Sequence, residues 1–127
     1  MQLSSTDLFG NVPKNNYFEF YENNKPDYKK VVDCLEFKKQ DVALATQCPT
    51  SSIRYDENMP KELKDRIEEW ANLLQLVAQF FKDEHKTLLW FRMPNPLLGN
   101  ISPKDMIRIG RYKKLLKFVQ HALSQNE

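Results

Sequence analysis

Between Pro60 and Phe81 the apolar residues Leu63, Ile67, Trp70, Leu74, Val77 and Phe81 recur in steps of four and three. That spacing predicts one long helix with a heptad seam. Leu73, Leu76 and Phe80 add a second apolar face to its later half. A helix apolar on two faces must be covered on two sides. Its own fold takes one side. The other is open to a second copy of the chain, and a homodimer is expected, or to further helices of a monomeric bundle.

Shorter helical patterns flank this one. Tyr28, Val31, Val32 and Leu35 fall at i, i+3, i+4 and i+7 behind Asp27, a good N-cap. A second helix is expected over Lys38 to Gln47, then a turn at Cys48-Pro49. A short third helix is expected over Thr50 to Tyr55, followed by an Asp56-Glu57-Asn58 linker. Asp83 caps a helix running through Phe91, and Pro103 to Ile109 reads as a short helix ended by Gly110. The last helix runs from Arg111 to about Ser124, with Tyr112, Leu115, Leu116, Val119 and Leu123 inward. Residues 1–26 carry no helical period and hold an aromatic cluster of Tyr17, Phe18, Phe20 and Tyr21. They read as an arm, partly extended, packing on the dimer. No strand or internal repeat is predicted. The expected fold is all-α: an arm (1–26), a helix-turn-helix region (27–58) and a helical dimerisation region (59–127).

The stretch from Thr87 to Gly110 breaks these patterns. Leu88, Leu89, Trp90 and Phe91 are apolar in a row, and Pro94-Asn95-Pro96 then stops any helix. Leu97 and Leu98 stand in this non-helical turn and are expected to plug a core. Gly99 predicts a positive φ. Ser102 reads as an N-cap, with Pro103 at the first helical position and Asp105 at the third.

Lys39 to Tyr55 fit helix-turn-helix spacing. Ala43 is small where two helices would cross, Gln47 stands at the turn, and Ile53 would anchor the second helix. A generic helical corner is the competing reading. On the first reading Thr50, Ser51, Ser52, Arg54 and Tyr55 populate a recognition helix. Its hydroxyls suit phosphates, and the fork of Arg54 suits guanine. Lys39 and Gln40 suit backbone contacts. Five basic and five acidic residues between Tyr28 and Asn58 cancel, so DNA affinity would need added sites from a dimer or larger complex.

Composition narrows the classes. The net charge of +2 marks neither a strongly basic nor an acidic protein. Arg111, Lys113, Lys114 and Lys117, with Lys104 and Arg108 before them, form the densest basic run. Such a run is a solvated helix face or a contact surface for an acidic partner or phosphates. Cys34 and Cys48 lack a C-x-x-C spacing, and with two histidines no zinc site is expected. No signal-peptide pattern or membrane-length apolar run is present, so a cytoplasmic protein with reduced thiols is expected. No phosphate loop, H-E-x-x-H or G-x-S-x-G occurs, and no enzyme activity or cofactor is expected.

The order W-F-x-x-P-N-P-x-L-G-x-x-x-P, carried here by Trp90, Phe91, Pro94, Asn95, Pro96, Leu98, Gly99 and Pro103, resembles the toxin-binding domain of the Xre/MbcA/ParS antitoxins. The resemblance covers about residues 60 to 123, and Asn100 stands where the family has a second glycine. It implies a helix-turn-helix ahead of this region and a RES-domain, NAD-consuming toxin as partner. The basic helix after Gly110 is a second departure from the family's pattern; the toxin contact is expected through Arg92, Asn95, Arg108, Arg111, Lys113, Lys114 and Lys117. The implied function is that of an antitoxin that sterically blocks the toxin and binds operator DNA. A stand-alone helix-turn-helix regulator is the alternative.

Overall fold

In the computed structural model, residues 18–22 and 25–125 are described. Among them the chain is all-α, with six helices: α1 (Tyr28–Cys34), α2 (Lys39–Thr46), α3 (Lys61–Phe81), α4 (Glu84–Arg92), α5 (Pro103–Arg108) and α6 (Tyr112–Gln125). Single 3-10 turns lie at Thr50–Ser52 and Pro96–Leu98. Two two-residue strands, β1 (Tyr21–Glu22) and β2 (Lys25–Pro26), pair antiparallel ahead of α1 with Tyr21 opposite Pro26. No helix of the described residues is long and apolar enough to cross a membrane.

The caps sit where the side chains dictate. Asp27 Oδ1 accepts from the Lys30 amide at 3.1 Å, and Asp83 Oδ1 from that of Lys86 at 2.9 Å. Ser102 Oγ accepts from the Asp105 amide at 3.2 Å, with Pro103 at the first turn of α5. Each satisfies one of the amides that a helix start leaves without a partner.

The central helix α3 packs against α1, α2, α4 and α6. Leu63, Ile67, Trp70, Leu74 and Val77 of the seam are buried, and so are Ala71, Leu73 and Ala78 on its other sides. Burying one such large apolar side chain contributes about 1.5–3 kcal/mol. Two polar ties fix its neighbours. Tyr28 Oη donates to Glu68 Oε2 at 2.9 Å, and Tyr112 Oη donates to the Glu69 carbonyl at 2.9 Å. Most of the second apolar face is thus covered by the chain itself, and only Phe80, about half exposed, is left outside.

Several expectations change. The third helix over Thr50 to Tyr55 does not form. Thr50–Ser52 make one 3-10 turn, and Ile53 then runs extended at φ −80° and ψ 106°. Three consecutive hydroxyl residues favour local side-chain bonds over helix, and β-branched Ile53 reaches the core just as well from an extended backbone. Gln47 does take up the left-handed turn position, at φ 59° and ψ 31°. Of the aromatic arm, Phe18 and Phe20 do not wait for a second subunit. They stack on each other with centroids 5.0 Å apart, both fully buried in their own chain's core. Tyr17 and the residues before it lie outside the described residues. The expected short extended piece of the arm is the β1–β2 pairing, an element the pattern did not predict as strand.

Candidate interaction surface

The loop between α4 and α5 is organised around Asn95. Its Oδ1 accepts from the Leu97 amide at 2.9 Å, and its carbonyl accepts from Leu98 at 2.9 Å and Asn100 at 3.0 Å. Its own amide donates to the Ile101 carbonyl at 3.1 Å and closes the loop base. A single asparagine therefore satisfies much of the loop's backbone. Gly99 and Asn100 follow at φ 78° and 65°. Both lie in the left-handed region, where glycine is free and asparagine is the best tolerated side chain after it. Asn100 can therefore occupy the position where glycine was expected.

The two leucines of this loop part company. Leu98 is half-buried against the core, but Leu97 is 78% exposed and plugs nothing. The Asn95 cap winds Pro96–Leu98 into a turn whose middle residue points outward. Beside Leu97 an apolar groove of about 170 Å³ opens, lined by Val77, Phe80, Trp90, Phe118 and Leu123 among others. Trp90 is thus half-buried and on the groove wall, whereas Trp70 is a core residue. The sequence signals for this groove were Leu97, stranded between prolines and glycine, and Phe118, which sits off the inward face of the last helix.

The basic residues divide into engaged and free. Arg92 Nη2 donates to the Cys34 carbonyl at 2.9 Å, and its Nε lies 3.5 Å from Glu36 Oε1. Lys104 Nζ reaches the same Glu36 oxygen at 3.1 Å. The hydrogen bond from Lys104, helped by the Arg92 charge, holds the Glu36 carboxyl below its ordinary range. Arg92 is therefore a clamp between α4 and the turn after α1. Arg108 pairs with Asp105 at 3.1 Å on its own helix. Arg111, Lys113, Lys114 and Lys117 are exposed, and among the described residues none has a carboxylate within ion-pairing distance. Arg111, Lys113 and Lys114 share a polar cavity of about 700 Å³ with Arg66, Glu69 and Tyr112, bordered by Ala45 of α2.

The residues read as contacting DNA lie on the α2 side. Lys39 and Gln40 are exposed in the first turn of α2. Thr50 and Ser51 are exposed on the 3-10 turn, and Ser52 is half-buried. Arg54 is exposed, but its fork is used by Asp56: Nε bonds Oδ1 at 3.0 Å and Nη2 bonds Oδ2 at 3.0 Å. That fork in turn holds the Asp56 carboxyl below its ordinary range. Tyr55 is half-buried, and burial raises its phenol. Without a third helix these side chains form a patch beside α2, not a rod that could enter a groove.

Nothing here assembles a metal site: among the described residues no group of three or more His, Cys, Asp or Glu could hold an ion. Burial pushes the Cys34 thiol up to about 11, so it stays protonated at neutral pH. No protein-family model matches the chain, and a search of curated proteins returns no match.

Proposed function

We propose that this chain is a cytoplasmic antitoxin whose C-terminal helices bind a RES-type, NAD-consuming toxin and block its active site by covering it. The observation that carries the reading is the Asn95-centred loop. It presents exposed Leu97 on a backbone already fixed by hydrogen bonds, beside a free basic helix. A preorganised surface loses little entropy on binding, which suits a tight inhibitory complex. The resemblance of the same residues to the antitoxin toxin-binding domain supplies the partner. The basic face of α6, free of internal ion pairs, supplies the means to steer an acidic surface.

Operator DNA is the second proposed partner. What supports it is the left-handed turn at Gln47 with the exposed hydroxyls and lysine nearby. The missing recognition helix and the occupied Arg54 fork make this the weaker of the two contacts, and favour the antitoxin over a stand-alone regulator. A homodimer is the proposed assembly. Its first reason, a doubly apolar α3, is largely used up inside the chain. Exposed Leu44 on α2 and Ile109 after α5 are what remain for a second copy away from the groove.

The test is co-expression with the toxin from the neighbouring reading frame. The full chain is expected to restore growth, and the full chain with Arg111, Lys113 and Lys114 each changed to glutamate is expected to restore it less, since these exposed side chains hold no ion pair inside the fold. A folded full chain that gives no protection would sink the proposal.

A further inference from the structure

The groove beside Leu97 is larger than its lining suggests. Leu89 on α4 and Met93, the extended residue that caps its C-terminus, flank Trp90 at i−1 and i+3 and are each about half exposed, and Phe80 is equally open on α3. Phe80 lines the groove itself, and the exposed Leu89 and Met93 stand beside Trp90 in the chain. Exposed apolar side chains near an apolar cleft are of the kind that marks a binding site.

Two lysines stand about one helical turn from groove residues. Lys114 stands four residues before Phe118 on α6, and Lys86 four residues before Trp90 on α4, so each shares a helix face with a groove residue. Both lysines are exposed; Lys114 also borders the cavity that holds Glu69 of α3, and α6 itself holds no Asp or Glu from Tyr112 to Gln125. The acid nearest in sequence to Lys86, Glu84, is two positions away on α4, a spacing that does not bring side chains together on a helix. Asp83 is engaged as the cap of α4. A second copy of the chain docking here about a two-fold axis would bring like charges together, Lys86 and Lys114 from both sides. Like-charge juxtaposition across an interface is a strong selector against that partner.

We infer that the groove seats an amphipathic segment of the toxin, apolar toward Trp90, Leu97 and Phe118 and carrying carboxylates along its margins toward Lys86 and Lys114. The inference rests on the proposed antitoxin function and names the chemistry of its contact. Leu97 then acts as a knob between apolar side chains of the segment, and the two lysines fix its direction along the cleft.

The test uses the full chain and two labelled helical peptides of about five turns. Both carry the same leucine face; one has glutamates on its margins and the other lysines. Fluorescence anisotropy is expected to show the acidic peptide binding, and the basic one at least about tenfold weaker. K86E together with K114E is expected to reverse that order. Leu97→Asp, at an exposed position, is expected to weaken both peptides with thermal unfolding unchanged. Equal binding of the two peptides, or binding of neither, overturns the inference. So does a dimer in sedimentation that Leu97→Asp splits, since the groove would then belong to a second copy. If Leu97→Asp protects cells as well as the unaltered chain does, the antitoxin reading stands and the groove is not its contact. If the full chain prefers the acidic peptide but never protects cells, the groove chemistry stands and the antitoxin reading fails.

Discussion

Phe37 and Trp70 meet edge to face, their ring centroids 5.6 Å apart and their planes 88° apart. One belongs to the turn between α1 and α2, the other to the middle of α3. Trp70 is 1% exposed and Phe37 nearly as deep. The segment read as DNA-binding and the segment read as toxin-binding therefore share this contact. Trp70→Ala is expected to cost about 3–5 kcal/mol, as large aromatic truncations in packed interiors do. Urea unfolding followed by circular dichroism measures it; a loss below about 1 kcal/mol would mean the aromatic pair is not the keystone described.

A chain reduced to residues 60–127 loses Phe37 together with Val31, Val32, Leu35, Val42 and Ile53, all buried in the same core cluster. Leu63, Ile67 and Trp70 would then face water. Such a truncated chain is expected to show no cooperative thermal transition, and to aggregate when concentrated. A sharp melt would show that the C-terminal helices carry their own core.

Glu36 gives a pH signature. Its carboxyl is held below the ordinary value of 4.5, first by the Lys104 hydrogen bond and then by the Arg92 charge. A depressed carboxylate binds fewer protons folded than unfolded near its pKa. Its contribution is complete above the unfolded value and fades as pH falls through the folded one. The side chain is exposed, so the effect is small. Melting temperatures of the wild type and Glu36→Gln are expected to differ modestly at pH 7 and to converge as pH falls below the ordinary carboxylate range. A gap that widens in acid would contradict the assignment.

Asn95→Ala removes the side-chain cap on the Leu97 amide and leaves the backbone bonds of the loop. Loss of such a cap costs about 0.5–2 kcal/mol. Protection against the toxin is expected to fall more steeply than stability, because the loop presenting Leu97 loosens. Growth rescue compared with thermal melting of the same variant distinguishes the two. Equal loss in both would make Asn95 purely structural.

Arg54 and Asp56 predict opposite effects on DNA. Their pair is exposed, and such pairs contribute little to stability. Asp56→Asn releases the guanidinium and is expected to tighten operator binding at low salt, whereas Arg54→Ala is expected to weaken it. Gel-shift titrations at two salt concentrations read both. No change in either variant removes Arg54 from the DNA contact.

What the sequence made legible was periodicity and capping. The α3 seam, the Asp27, Asp83 and Ser102 caps and the positive φ at Gly99 all follow from local chemistry that a linear reading contains. What covers the second face of α3 does not, because period reports that a face is apolar and not what lies on it. Phe18 and Phe20 looked like an arm for the same reason: burial is a property of the whole chain. Thr50 to Tyr55 was too short for propensity to decide between a helix and a 3-10 turn. In the candidate surface, the basic run was visible as composition. The engagement of Arg92 with the Cys34 carbonyl, 58 positions away, is a tertiary bond with no local sign. Leu97 was noticed and misplaced, since a hydrophobic residue in a tight turn is silent about direction.

The loop from Asn95 to Ile101 separates what fixes its shape from what it displays. Asn95, Gly99 and Asn100 set the backbone, through one side-chain cap and two left-handed positions that few residues can hold. Leu97 contributes its amide to that framework and its side chain to nothing inside the chain. Descendants of this protein can therefore exchange the residue at 97 without reshaping the loop, while changes at 95, 99 or 100 alter it all. If the proposed antitoxin contact holds, choice of partner can drift at one position, and cognate pairs can diverge into mutually deaf ones by substitutions the rest of the fold does not feel.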